Sequence, residues 1–228
     1  MTRYSISQPV TQVEAPRLVS GKGRFTDDIT LPQMAHGVFL RSPHAHADIV
    51  SIDTSAASAM PGVIAILTGA DYEADGLGVV RGVSPLKRRD GSPMYRPPRP
   101  ALISDRVRHV GQGVALVIAE TINQGKDATE AIEVDYSPLP AHFSTAEANQ
   151  GGVPQLYDDC LNNEPVHVNH GDADAVDAAL AAAPHVLRET FVVNRVAGCT
   201  MEPRSVVGEY DEGRDHYTIH ACHQRPYI

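Results

Sequence analysis

Apolar and polar positions fall in short blocks along this chain, each closed by proline, glycine or a short polar residue. His36–Ser42 (HGVFLRS) predicts a strand that Pro43 stops. Asp48–Asp53 alternates with period two and predicts a second strand. Thr54 predicts the N-cap of a short alanine-rich helix, ended by Pro61-Gly62. Val63–Leu67 (VIAIL) predicts a buried strand, and Thr68 or Asp71 opens another short helical turn. Gly113–Ala119 (GVALVIA) is continuously apolar, which predicts a strand covered on both faces. Thr121 predicts the cap of a helix over Asn123–Ala131, and Ile132–Tyr136 alternates as a strand ended by Ser137-Pro-Leu-Pro140. Interleaved strands and short helices over residues 20–145 predict an α/β or α+β unit.

Three stretches break this rhythm. Residues 1–20 lack periodicity and read as a polar lead-in. Residues 73–104 hold five prolines and four glycines without a regular pattern, unusual in length for a loop inside a compact domain. They predict contact with a partner or a neighbouring domain, with a plain surface loop as the alternative. Asn149-Gln-Gly-Gly152 predicts a domain boundary. Beyond it, Val166–Val168 predicts a strand and Asp172 the N-cap of a helix with body Ala175–Ala183. His185–Arg195 predicts a long strand, and Ser205–Asp211 with His216–Cys222 a hairpin.

Composition narrows the class. The 228 residues carry 19 Lys+Arg and 28 Asp+Glu, a net charge of −9, which argues against non-specific nucleic-acid binding. The longest apolar run, Val114–Ala119, is far short of the roughly 20 residues of a membrane span. MTRYSISQPV has no apolar core of a secretory signal, and Cys160, Cys199 and Cys222 are odd in number and widely spaced. These features predict a soluble, cytoplasmic protein with reduced thiols.

Candidate chemistry is sparse. His44 and His46 share one face of an extended segment and could supply half a metal site, but nothing points to further ligands. His220, Cys222 and His223, or His167 and His170, lack the paired spacing of a structural zinc site. Gly21-Lys-Gly23 and Gly111-Gln-Gly113 match no phosphate-binding pattern and predict tight turns. No GxSxG elbow is present, and none of the three cysteines sits in an activating context. Met201-Glu202-Pro203-Arg204 predicts a loop ion pair. Spacing alone yields no catalytic residue and no metal ligand.

Several strings together resemble the large, molybdopterin-binding subunit of the xanthine dehydrogenase / aldehyde oxidase / aerobic carbon monoxide dehydrogenase family. They are Arg17–Asp28 (RLVSGKGRFTDD), Gly37–His46 (GVFLRSPHAH), Ile49–Asp53 with Pro61-Gly-Val63, Val107–Glu120 (VRHVGQGVALVIAE) and Ala128–Pro140. These are similar to the family's N-terminal a/b hammerhead domain. Asn194-Arg195, Met201–Arg204, Gly208–Asp211 and Tyr217–Gln224 resemble the opening of its molybdopterin-binding domain. The resemblance implies an α+β chain: a lead-in over 1–16, an aldehyde oxidase/xanthine dehydrogenase a/b hammerhead domain over 17–148, and the incomplete start of a molybdopterin-binding domain over 149–228.

The resemblance further implies an oxidoreductase that hydroxylates an aldehyde or N-heterocycle carbon, or oxidises CO, with water as oxygen source. It implies a molybdopterin cytosine dinucleotide-type cofactor, and iron-sulfur and FAD subunits as partners. Gln224 matches the family glutamine that hydrogen-bonds an oxygen ligand of the molybdenum; Glu202 matches a structural position. The later pterin loops and the general-base glutamate of the family have no counterpart among the 228 residues. That implies a chain inactive by itself, needing the remainder of the large subunit or a companion subunit, with its terminal hairpin exposing a sheet edge prone to association. The alternative is a non-catalytic hammerhead module that docks on iron-sulfur or flavin subunits. A weaker third is a metal hydrolase using His44, His46 and the terminal His/Cys group.

Overall fold

The computed structural model describes residues 11–223 apart from 81, 83, 195 and 201. Its larger compact unit spans residues 35–187; the smaller joins the residues up to 34 with those from 188 onward.

The larger unit is organised by β5 (Gly113–Ala119), the central strand of a sheet ordered β1-β5-β3, with β1 at His36–Arg41 and β3 at Val63–Thr68. Both neighbours run antiparallel to it. Ala115, Val117 and Ala119 project into one core with Ala57, Ala128 and Ile132. Val114, on the opposite face, enters a second core with Ala47, Ile103 and Val107. The unbroken apolar run is therefore a strand between two cores, as its composition predicts.

The second sheet is ordered β4-β2-β6: β2 (Ala47–Asp53) lies between β4 (Arg106–Val107) and β6 (Glu133–Pro138). Between Ile49 and Ser51 the register with β6 shifts, leaving Val50 as an extra, exposed residue. Ile52 and Val134 touch both cores and tie the two sheets together.

Short helices close the connections. α2 (Ser55–Ser58) contributes the fully buried Ala57. α3 (Gly69–Ala74) starts from a reciprocal capping box: Asp71 N–H donates to the Thr68 hydroxyl, and Thr68 N–H donates to the Asp71 carboxylate. Gly69 is required there, because a Cβ would sit 2.4 Å from the Ile103 carbonyl carbon. α4 (Ile122–Glu130) is capped by Thr121, which accepts from Gln124 N–H. Its Gly125 lets it approach β1 so closely that a Cβ would meet Val38 Cγ2 at 2.7 Å.

After β6 the chain makes the 3-10 turn Leu161–Asn163 and α5 (Ala173–Ala182), which is capped by Asp172 and buries no residue. Two expected strands are absent. Val166–Val168 and His185–Asn194 have no ladder, and Leu187, Phe191, Val192 and Val193 are exposed. Their apolar pattern suits a strand, but a strand exists only when a neighbour accepts its backbone bonds. Arg195, the last residue of the longer one, lies outside the described residues.

The smaller unit holds α1 (Ala15–Val19), the 3-10 turn Thr26–Asp28, and the hairpin of β7 (Val206–Asp211) with β8 (His216–Ala221). Residues up to 34 group by their contacts with the terminal hairpin. No described helix is long and apolar enough to cross a membrane.

Candidate functional site

The smaller unit is held together by contacts between residues far apart in sequence. β7 and β8 pair from Val206–Ala221 to Asp211–His216. Asp215, at φ +49, closes the loop between them, and the Tyr210 hydroxyl donates to its carboxylate at 3.0 Å. The Tyr210 and Tyr217 rings lie 4.5 Å apart between centroids. On the other side, Gly21 at φ +70 turns the chain after α1, and Arg17 Nε donates to the Lys22 carbonyl at 2.8 Å. Phe25 N–H donates to the Asp28 carboxylate at 2.9 Å and sets the 3-10 turn.

Glu202 joins the two parts. Its Oε1 accepts from Thr26 N–H at 3.4 Å, and its backbone carbonyl accepts from the Thr200 hydroxyl at 2.6 Å. Glu202 thus bonds the turn at Thr26, and no ion pair between it and Arg204 is found among the described residues.

Between the turn and the end of β8 lies a cavity of roughly 640 Å³, lined by Arg17, Arg24, Phe25, Thr26, Ile29, Glu202 and residues 219–222. Its polar groups are two guanidiniums, a carboxylate, the His220 imidazole, the Cys222 thiol and the Thr26 hydroxyl. The guanidiniums suit an anionic group. The Cys222 thiol lies 3.8 Å from the Pro203 carbonyl, and no hydrogen bond joins it to His220 or Glu202. The geometry therefore supplies no nucleophile–base pair. No glycine lines the cavity, and Arg17, Arg24 and Cys222 are exposed, so the described residues form no closed cradle for a pterin. Gln224 lies two positions past Cys222, outside the described residues.

Sequence inspection gives no sign that Arg17–Asp28 lines a cavity with Glu202 and the end of β8. Only the ordered neighbourhood of family strings hints at it; the Thr26–Glu202 contact spans 176 positions and leaves no local pattern.

His44, His46, Cys160, His167, His170 and the Gly111–Gly113 turn lie in the larger unit, and Cys199 and His223 in the smaller. His46 is 5% exposed and its Nδ1 is 2.8 Å from the Pro140 carbonyl, which makes Nδ1 the protonated nitrogen. The His44 ring packs on Tyr136 at 4.8 Å. His167 Nδ1 lies 3.4 Å from Glu164. The described residues contain no group of three His, Cys, Asp or Glu side chains able to hold a metal. Gly111, at φ +85, is a tight turn as predicted. The shortest ion pair among the described residues joins Arg106 of β4 to Asp48 of β2. The hydrogen bond from Arg106 holds the Asp48 carboxyl below its ordinary range, and Asp48 in turn raises Arg106.

Comparisons with known proteins agree with this architecture. Residues 20–140 match the family described as aldehyde oxidase and xanthine dehydrogenase, a/b hammerhead domain, and residues 156–228 match the molybdopterin cofactor-binding domain. The chain is 34% identical to the carbon monoxide dehydrogenase large chain of Afipia carboxidovorans, over 95% of its own length and 27% of that chain's. It is 33% identical to the nicotine 6-hydroxylase large subunit of Paenarthrobacter nicotinovorans, over 100% of its own length and 27% of that subunit's. Among solved structures, quinoline 2-oxidoreductase from Pseudomonas putida 86 superposes with a TM-score of 0.79 at 30% identity, over 93% of this chain and 26% of that one. The chain spans about a quarter of the length of these relatives.

Proposed function

Because this chain belongs to the aldehyde oxidase and xanthine dehydrogenase family, we propose that it is the N-terminal portion of a molybdenum hydroxylase large subunit. It comprises the hammerhead domain and the start of the molybdopterin-binding domain. The observation that carries the reading is the ordered match of both domains, with 33–34% identity to large subunits over nearly the whole chain. The reaction is hydroxylation of an aldehyde or N-heterocycle carbon, or oxidation of CO, with water as the oxygen source. A molybdopterin cofactor of the cytosine dinucleotide type supplies that redox chemistry when bound. Electrons leave to iron-sulfur and FAD subunits, in the cytoplasm. On this reading Gln224 would donate its amide N–H to the bound cofactor. A neutral donor there polarises without adding charge. Glu202 holds the wall of the cavity and takes no part in chemistry. On this reading the chain is inactive by itself and needs the remainder of the large subunit or a companion subunit.

The test is metal and pterin analysis of the native protein that contains this chain. Molybdenum near one per chain, with the fluorescence of oxidised pterin, is expected. A native complex with neither overturns the reading in favour of a non-catalytic docking module. In the loaded complex, Gln224→Ala lowers kcat by roughly 10²-fold with molybdenum content unchanged.

A further inference from the structure

Residues 76–104 form a cationic island. They hold six basic residues (Arg81, Lys87, Arg88, Arg89, Arg96, Arg99) and one acid (Asp90), a net of +5 in a chain whose net charge is −9. The structure shows that this stretch is not shapeless. Val80 bridges Arg99, the Arg96 guanidinium donates to the Ser84 carbonyl, Met94 N–H to Leu86, and Lys87 bridges Pro93. Arg88 N–H donates to Ser92 at 2.8 Å, and Gly91 at φ +84 forms the tip. The contacts at 86/94, 87/93 and 88/92 follow one antiparallel register, and the Val80–Arg99 bridge lies one residue out of it. The stretch is a hairpin-like arm whose prolines remove the donors a continuous ladder needs.

The arm grips a second segment of the same unit, residues 155–168, which carries Asp158, Asp159 and Glu164. Tyr95 N–H donates to the Pro165 carbonyl at 2.8 Å, and His167 N–H to the Lys87 carbonyl at 3.0 Å. Arg88 donates to the Asp159 carbonyl and lies over the Tyr95 ring at 5.2 Å. Arg89 pairs with Glu164 at 3.3 Å. Arg108, from the strand side, donates to the Leu156 carbonyl and stacks on Tyr157 at 4.8 Å. Beneath these groups Cys160 is 5% exposed.

This contact is made of charge, carbonyls and ring faces, and none of its residues belongs to either sheet core. It is also imperfectly satisfied: Arg88 Nε and Arg96 Nε are buried with no acceptor among the described residues. A polar contact of that kind opens at a lower free energy than the apolar cores beside it. We infer that the arm of residues 84–99 is a charge-held clamp on residues 155–168, opening as a unit while both sheets stay folded and freeing the stretch of chain that leads to the second unit. Ionic strength sets how often it opens.

Cys160 is the built-in reporter, because Cys199 and Cys222 are exposed and serve as internal references. Full-length chain is alkylated with iodoacetamide and each cysteine is followed by peptide mass spectrometry, alongside amide exchange in β5. Cys160 is expected to react at least ~100-fold more slowly than the other two, and to speed up in high salt with β5 protection unchanged. Arg88→Ala is expected to accelerate Cys160 at least ~10-fold without moving the two references. The inference is overturned if Cys160 ignores both salt and Arg88→Ala, or speeds up only in step with loss of protection in β5. Should Arg88→Ala fail to fold, the exposed pair decides. Arg89→Glu accelerates Cys160 by about threefold, and adding Glu164→Arg restores the slow rate; no change in Arg89→Glu refutes the clamp.

Discussion

Glu202 illustrates how a residue with an ordinary local context acquires a role from distance. Its carboxylate satisfies the Thr26 N–H, one of the donors that a helical turn leaves without a partner of its own. Glu202→Ala should weaken this join by about 1 kcal/mol. The readout is roughly fivefold faster exchange of the Thr26 amide, with exchange in β5 unaffected. Asp48 makes a different kind of prediction. Its carboxyl is held below the ordinary value of 3.8, first by the hydrogen bond from Arg106. A carboxyl depressed in the folded state stabilises fully above its unfolded value, and that contribution fades as pH falls through the folded one. Acid titration followed by circular dichroism should therefore show Asp48→Asn less stable than wild type at neutral pH, with a shallower loss below about pH 3.8. Asp53, Asp71 and Asp90 are depressed as well, by bonds from Ser55, Thr68 and Ser92, so the acid limb of the variant keeps part of its slope. Neither Glu202 nor Asp48 stands out in the sequence, because each effect depends on a partner brought near only by the fold.

Elements were legible where composition and pairing agree. β5, β1, β3 and the capped helices α3 and α4 follow from apolar runs, Thr caps and the Pro or Gly that closes each block. The strand expected over His185–Arg195 did not form over its described residues, 185–194, because their apolar side chains find no neighbouring strand among the described residues. The arm fails in the opposite direction: its four prolines hide the pairing at 86/94, 87/93 and 88/92 from any periodicity argument. The terminal hairpin is legible as a hairpin, yet its stability is not. Val206, Tyr217 and Ile219 are 66–71% exposed, and the only buried residue described in the smaller unit is Thr26. Hydrogen exchange of the isolated chain should find amides of β7 and β8 exchanging at least ~100-fold faster than those of β5. Equal protection would show that the hairpin has a core of its own.

At the scale of the whole molecule, sequence strings and compact units divide the chain differently. The hammerhead match covers 20–140 and the molybdopterin-domain match begins at 156, whereas the larger compact unit runs to 187. The first thirty or so residues of the second family domain thus pack with the first, through the basic arm. The family itself was readable because its strings keep their order over some two hundred residues, a property no single motif shows. The cavity of the smaller unit was not readable in the same way: Gln224 rests on resemblance alone, and the cavity draws on residues near both sequence ends of the described chain.

β5 has a last consequence, one of parity. Odd positions face one core and Val114 faces the other, so a single inserted residue would exchange the two allotments at every later position of the strand. Leu116 and Ile118 would be driven into space shaped for Ala115 and Val117, and the small residues would leave gaps opposite. Two inserted residues restore the alternation and displace only its phase along the neighbours. In evolutionary terms the strand tolerates change by even steps. Length variation in this part of the chain is accordingly expected in the arm, where the tip at Asp90-Gly91 belongs to neither core.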